Sequence, residues 1–226
     1  MPDNKFNFDS MAARYDLWYQ TPLGRAYDLF EKKAAAGLLP QAGPGATLLE
    51  AGSGTGHWSS WFSGKGYRVT GIDISKEMTR LAQSKNMTGC RFITGDFLRQ
   101  QFSERYDVVA AITSVEFMAD PEKALAIMRT LVKPGGCLFL GLLNRWSVLG
   151  LYRKLKTGNK PTYRSAHFFS MGEIRKILGK HGNPEITSAA FLLPFEKSIR
   201  FGRVLEKIGT LLFPWAGNFI ICRMFV

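Results

Sequence analysis

The chain has 226 residues, 46% of them hydrophobic and 21% charged, the balance expected of a soluble globular domain with one large core or a core and a small cap. Its formal charge of +12 is unevenly placed: residues 145–226 hold 14 Lys and Arg against 4 Asp and Glu, whereas residues 1–144 are nearly balanced, so the basic excess bears on partners rather than on fold. A membrane span is excluded by pattern, because the most apolar stretch, 211–226, is interrupted by Pro214, Gly217, Asn218 and Arg223.

The opening residues, M-P-D-N-K-F-N-F-D, lack the apolar core of a secretory signal, which makes the cytoplasm the expected compartment. Tyr15, Trp18 and Tyr19 then cluster at helical spacing, and a helix is predicted from about Leu23 to Leu38, apolar at Ala26, Leu29, Phe30 and Ala34 and stopped before Pro40. Thr47 to Leu49 reads as a short buried strand. Glu50 follows, with glycines at alternate positions, Gly52, Gly54 and Gly56. Next come a helical pattern containing Trp58, Trp61 and Phe62 and a second strand, Tyr67 to Ile72, ending on Asp73. Such a β-turn-α-β unit has a mechanical use. Glycines let the backbone turn tightly and let a ligand approach its N–H groups, and an acidic residue about 20 positions later can chelate two ribose hydroxyls.

Further along, Ser75 is a natural N-cap for a helix running to about Lys85, with Met78, Leu81 and Ala82 facing the sheet. A strand C-R-F-I-T leads into Gly95-Asp96-Phe97. Residues 106–113, Y-D-V-V-A-A-I-T, read as a fully buried parallel strand. Asp120 before Pro121 starts a helix expected to reach about Val132 and to be ended by K-P-G-G, and Cys137 to Leu143 forms the next strand. Two basic amphipathic segments follow. In 145–156, Trp146, Leu149, Tyr152 and Leu155 interleave with Arg153, Lys154 and Lys156; in 199–212, Phe201, Val204, Leu205, Ile208 and Leu211 stand against Arg200, Arg203 and Lys207. Ser170-x-x-Glu173 is a capping box opening another helix, and strands are expected near Glu185–Leu192 and Asn218–Phe225. Cys90, Cys137 and Cys222 sit in apolar strand-like runs without metal-ligand spacing, so buried thiols are expected rather than a disulfide or a metal site.

The E-x-G-x-G-x-G wording at Glu50–Gly56 differs from the G-x-G-x-x-G of dinucleotide enzymes, and it resembles motif I of the class I S-adenosylmethionine (SAM)-dependent methyltransferases of the small-molecule, methyltransferase type 11-like group. The later pattern D-V-V…E-F-M-A-D-P…L-V-K-P-G-G-C-L resembles the same family's later motifs, so the likeness covers about Ala46 to Asn144, with a weaker Y-D-x-W likeness in the N-terminal arm. It implies a Rossmann-like α/β fold: a mostly parallel seven-stranded sheet, helices on both faces and a helical cap. It implies one domain over 1–226, with an arm (1–40), a SAM-binding core (46–144) and a basic substrate cap carrying the last strands (145–226). It implies that Glu50, Gly52, Ser53, Gly54 and Gly56 cradle the methionine end and that Asp73, beside Ile74 and Met78, takes the ribose. Gly95, Asp96 and Phe97 would hold adenine, Ile112 and Thr113 would line the floor, and Tyr15 and Tyr19 would fold over the site. Many relatives carry His in the loop after the fourth strand, where this chain has Glu116 and Phe117.

The implied reaction is methyl transfer from SAM to a small-molecule, lipid-like or quinone-like acceptor, leaving S-adenosylhomocysteine (SAH). Such chemistry needs alignment and exclusion of water more than it needs covalent machinery. A general base is required only for a protonated acceptor, and His167, Glu116 and His57 are the candidates, with His57 also readable as a packing or capping residue beside the loop. Two other classes stay open: a nicotinamide-dependent oxidoreductase, against which the glycine spacing speaks, and a non-catalytic SAM-binding module. The basic tail has three readings: a solvated lid, a peripheral contact with an anionic membrane surface, or an RNA- or DNA-binding surface, the last without an N-P-P-Y-type sequence after the fourth strand.

Overall fold

The computed structural model describes residues 8–156 and 166–226. The first seven residues, and the side chains of Arg153, Lys154, Leu155 and Lys156 on the first basic helix, lie outside the described set. In chain order, two short helical turns, α1 (Ala12–Tyr15) and α2 (Leu17–Gln20), precede α3 (Pro22–Leu38). The sequence then alternates β1 (Thr47–Ala51), α4 (His57–Gly64), β2 (Arg68–Asp73), α5 (Lys76–Ser84), β3 (Cys90–Thr94), β4 (Tyr106–Ile112), α6 (Pro121–Thr130) and β5 (Val132–Leu143). It closes with α7 (Val148–Lys156), α8 (Met171–Leu178), β6 (Glu185–Ala189), α9 (Gly202–Leu212) and β7 (Phe219–Phe225).

The seven strands form one sheet in the order β3-β2-β1-β4-β5-β7-β6, parallel except for β7, which runs antiparallel to both β5 and β6. The central strands are mostly apolar because each is covered on both faces. One buried layer packs Leu49, Val109, Leu138 and Leu140 against Ala124, Leu125 and Met128 of α6 and Ile174 and Leu178 of α8. The other packs Leu48, Val108 and Phe139 against Tyr27 and Ala35 of α3 and Trp58 and Phe62 of α4. Strand order reverses between β1 and β4, so the carboxyl ends of these two strands part company at a crevice, where open α/β sheets bind ligands.

Local signals place the helix starts. The Ser75 hydroxyl accepts from the Met78 amide at 3.1 Å, the Asp120 carboxylate from the Lys123 amide at 2.9 Å, and the Ser170–Glu173 box is formed in both directions. Tertiary pairing overrides three expectations. The α6 helix stops at Thr130, because Val132 pairs with Tyr106 and K-P-G-G lies inside the twelve-residue β5, where the register shifts between Tyr106 and Val108. The β6 strand ends at Ala189 and not at Leu192, since Ala190 takes a left-handed φ of 61°. Cys90 is half-buried, because β3 is an outer strand of the sheet, while Cys137 and Cys222 are buried as expected.

Candidate active site

The carboxyl ends of β1 to β4 converge on a cavity of about 300 Å³. After β1 the chain turns at Gly52, whose φ of +75° suits glycine and whose added Cβ would collide with Ser114. The Gly52 and Ser53 amides are spent on the Ile72 carbonyl, at 2.8 and 3.1 Å, which ties the turn to the end of β2. Gly54 is also left-handed (φ +53°), but a Cβ there would meet nothing within 4 Å, so a ligand can approach this backbone closely. Its N–H donates to Asp73 Oδ2 at 2.8 Å, and the Ser75 N–H donates to Asp73 Oδ1 at 2.9 Å. The Asp73 carboxylate is thus fixed in orientation, with one lone pair left on each oxygen. Burial raises Asp73 above the usual carboxylate value against the pull of these two amides.

Glu50, at the end of β1, is buried and accepts a short hydrogen bond from the Ser59 hydroxyl. Burial pushes its carboxyl up to about 8, and the Asp73 charge adds to the effect. Gly95, Asp96 and Phe97 follow β3. Phe97 is buried, and Asp96 accepts from the Leu98 amide at 3.0 Å and faces the Arg99 guanidinium at 3.5 Å. Beyond β4, Thr113 holds a left-handed φ of 47° while its amide donates to Gly141 O at 2.7 Å, and the Ser114 hydroxyl donates to Ala51 O at 2.6 Å. This strained corner closes the floor between β1 and β4.

Of the fifteen residues that the sequence assigned to SAM, fourteen line this one cavity. Gly56 does not. It caps α4 with φ +82°, and its missing side chain makes room for Met87 and Phe92 on the far side of the loop. The cavity also takes in Phe8, His57, Arg99, Phe117, Met118 and Lys123. Phe117 and Met118 were within reach of sequence reasoning, since they follow β4. Phe8 had no sequence signal; its ring meets Phe117 edge-on with centroids 5.5 Å apart.

Residues 8–20 lie over the cavity and are fastened at three points. Asp9 accepts from the Ser75 hydroxyl at 2.5 Å and the Glu77 amide at 3.2 Å. Asp16 accepts from the Thr55 hydroxyl at 2.6 Å and pairs with Lys85 at 2.7 Å. Tyr19 stacks on His57 with centroids 3.6 Å apart, and burial pushes the Tyr19 phenol up. His57 Nε2 lies 2.7 Å from Asp28 Oδ1 and 2.9 Å from Lys32 Nζ. Burial alone would raise Asp28, but His57 and Lys32 hold its carboxyl below the usual value.

The other candidate bases stand apart from the cavity. His167 is exposed and held at 2.6 Å by Glu173 of α8, while its amide donates to Glu116 O at 2.8 Å. Glu116 is buried, and its Oε1 accepts from the Leu143 amide at 2.6 Å. Glu116 therefore ties the loop after β4 to the end of β5. Among the described residues no helix is long and apolar enough to cross a membrane.

Residues 49–140 match the family model described as a methyltransferase domain. An uncharacterized protein of Methanocaldococcus jannaschii is 29% identical over 203 residues, 89% of this chain and 92% of that protein. The ubiquinone biosynthesis O-methyltransferase of Nitrosomonas europaea is 30% identical over 147 residues; the match covers 60% of this chain and 63% of that enzyme, less than two thirds of its length. In fold, the chain is similar to a SAM-dependent methyltransferase of Thermotoga maritima, a possible histamine N-methyltransferase, with a TM-score of 0.75 and 24% identity over 96% of this chain and 97% of that one. The sheet order and the matched segment agree: the chain has the fold of the class I SAM-dependent methyltransferases, and a methyltransferase domain is matched over residues 49–140.

Proposed function

We propose that this protein is a methyltransferase that binds SAM along the carboxyl edge of the sheet and passes its methyl group to a small, largely apolar acceptor of lipid-like or quinone-like character. Gly52, Ser53 and Gly54 surround the methionine end, with Glu50 beneath them. Asp73 takes the ribose hydroxyls on the two lone pairs that the Gly54 and Ser75 amides leave to it. Asp96 and Phe97 hold adenine, and Ile112 and Thr113 form the floor. The observation that carries this reading is the convergence of residues from four separate strand ends on one cavity, together with the open space beside Gly54. The lining fits the nucleoside: a carboxylate for a diol, open space beside Gly54 for the amino-acid end and an apolar floor for a base.

SAM supplies a methyl group on a sulfonium, an electrophile that needs only an aligned nucleophile. The protein's own residues do the rest. The arm, pinned by Asp9, Asp16 and Tyr19, covers the cavity and excludes water. Phe8, Phe117 and Met118 give it an apolar end, which suits an acceptor with a ring or an alkyl chain. His57 reaches the cavity, but Asp28 and Lys32 take up its Nε2 and Tyr19 covers its face, so it acts as a fastener between arm and glycine loop rather than as a base. The chain works as one domain, with 46–144 holding SAM and the arm and the segment after 144 forming the acceptor side, in the cytoplasm or at a membrane's edge.

Calorimetry with SAM, SAH and NAD tests the donor; NAD bound in place of SAM would turn the reading toward an oxidoreductase. Labelled SAM offered with alkylated phenols, quinols and fatty acids tests the acceptor. Transfer confined to polar amines would refute an apolar acceptor. SAM bound without transfer to any acceptor would favour a binding module.

A further inference from the structure

Helix α9 is packed with its small residues inward and its large apolar residues outward. Gly202 lies against Leu192 and Phe30, and Gly209 sits so close to Phe191 that a Cβ would collide with the ring. The inner side is completed by Glu206, which accepts from the Ala190 and Phe191 amides at 3.0 and 2.9 Å. On the outer side Phe201, Val204, Ile208, Leu211 and Leu212 recur at helical spacing as one stripe, from 46% exposed at Ile208 to 76% at Leu211. Arg200, Arg203 and Lys207 recur along one flank of the stripe, all three exposed. A helix that only needed to cover the core would have the reverse arrangement.

The stripe continues into the loop after it. Phe213 and Trp215 are exposed and meet edge-on, and the Asn144 amide group donates to the Trp215 and Gly217 carbonyls at 2.7 and 2.8 Å. Those bonds bring Trp215 beside the turn that carries exposed Trp146. This is the carboxyl edge of the sheet: β7 begins there at Phe219, whose ring stacks on Trp58 of the cavity wall.

We propose that this face docks on an anionic lipid bilayer, with the α9 stripe and the tryptophans entering the headgroup region and Arg200, Arg203 and Lys207 meeting lipid phosphates. Large exposed side chains, flanking cations and an interfacial pair of tryptophans are the combination that lies in a bilayer surface. A second copy of the chain is the weaker occupant, because it would bring the same cationic flank, and Glu196 is the one exposed carboxylate from residue 196 to 215 to answer it. Docking in this orientation turns the cavity's edge toward the lipid. That consequence rests on the apolar acceptor proposed above, whereas docking itself does not.

The test is co-sedimentation of the full chain with vesicles of phosphatidylcholine, alone or mixed with phosphatidylglycerol, at low and physiological salt. Wild type is expected on the mixed vesicles only, with binding weakened by salt. Arg200→Ala and Arg203→Ala should each weaken it by about fivefold, and Ile208→Ser with Leu211→Ser should abolish it. Circular dichroism and SAM calorimetry should show these variants folded and competent for the methyl donor, so loss of docking is separable from failure of the donor site. Absence of binding at low salt, equal binding to neutral vesicles, or undiminished binding by both sets of variants would overturn the proposal. A dimer that forms without lipid and that the Ser variant dissociates would assign the face to a second copy instead.

Discussion

Replacing Glu50 with Gln should stabilise the folded protein at neutral and higher pH and do little at acid pH. The carboxyl is buried against Ser59 of α4, and burial raises it from 4.5 to about 8. The folded state therefore keeps a proton that the unfolded chain releases above 4.5. The resulting stability is fully present below that value and is lost as pH rises toward 8, above which the loss levels off. Each unit of separation is worth about 1.4 kcal/mol, so at pH 5 the ionisable group costs about 1 kcal/mol and at pH 7 about 3 kcal/mol. Gln keeps the shape and can still accept from Ser59, but it has no proton to lose. The difference in unfolding free energy between variant and parent should widen by about 2 kcal/mol from pH 5 to pH 7. Urea unfolding at both pH values, followed by tryptophan fluorescence, measures it. Two parallel curves would mean that Glu50 is ionised in the fold, and the picture of a dry carboxyl beside Ser59 would have to go.

Asp73→Ala should lower SAM affinity by at least about 100-fold in calorimetry, since a half-buried carboxylate held in place by two amides is removed; unchanged affinity would refute the ribose role. Gly52→Ala and Gly54→Ala separate structure from binding. The first forces a Cβ into Ser114 at a left-handed φ and should cost about 2–4 kcal/mol in urea. The second points its Cβ into open space and should cost about 1 kcal/mol of stability while weakening SAM binding; equal effects of the two would contradict the geometry. His167→Ala should leave SAM affinity and methyl transfer unchanged, because the ring is exposed and turned to Glu173; a large fall in rate would restore it as a base.

Much of the segment from β1 to β5 was legible because its signals are local. Three glycines, a preceding Glu and a following Asp are spaced by the strand-turn-helix-strand unit itself, and Asp120-Pro121 and Ser170–Glu173 announce helix starts within four residues. What could not be read depends on contacts between distant parts of the chain. The fate of K-P-G-G is decided by pairing of Val132 with Tyr106, a sheet partner outside the helix that precedes it. The fasteners of the arm join Asp9 to Ser75, Asp16 to Lys85 and Asp28 to His57, and no spacing rule relates those residues. Gly56 carries a structural demand that its place in the motif does not reveal: its φ and the nearness of Met87 require glycine there, and it stands outside the cavity lining. In the last third, the periodicity of 199–212 revealed an amphipathic helix but not which face is turned outward. Burial of Gly202 and Gly209 settles that.

A crystal structure of the protein grown with SAH decides whether the cavity is the donor site. Density is expected along the carboxyl edge of β1 to β4, with both ribose hydroxyls on Asp73, the amino-acid end against Gly52 to Gly54 and the adenine beside Phe97. Density for SAH at another place on the molecule, or a ribose that leaves Asp73 untouched, would contradict that assignment.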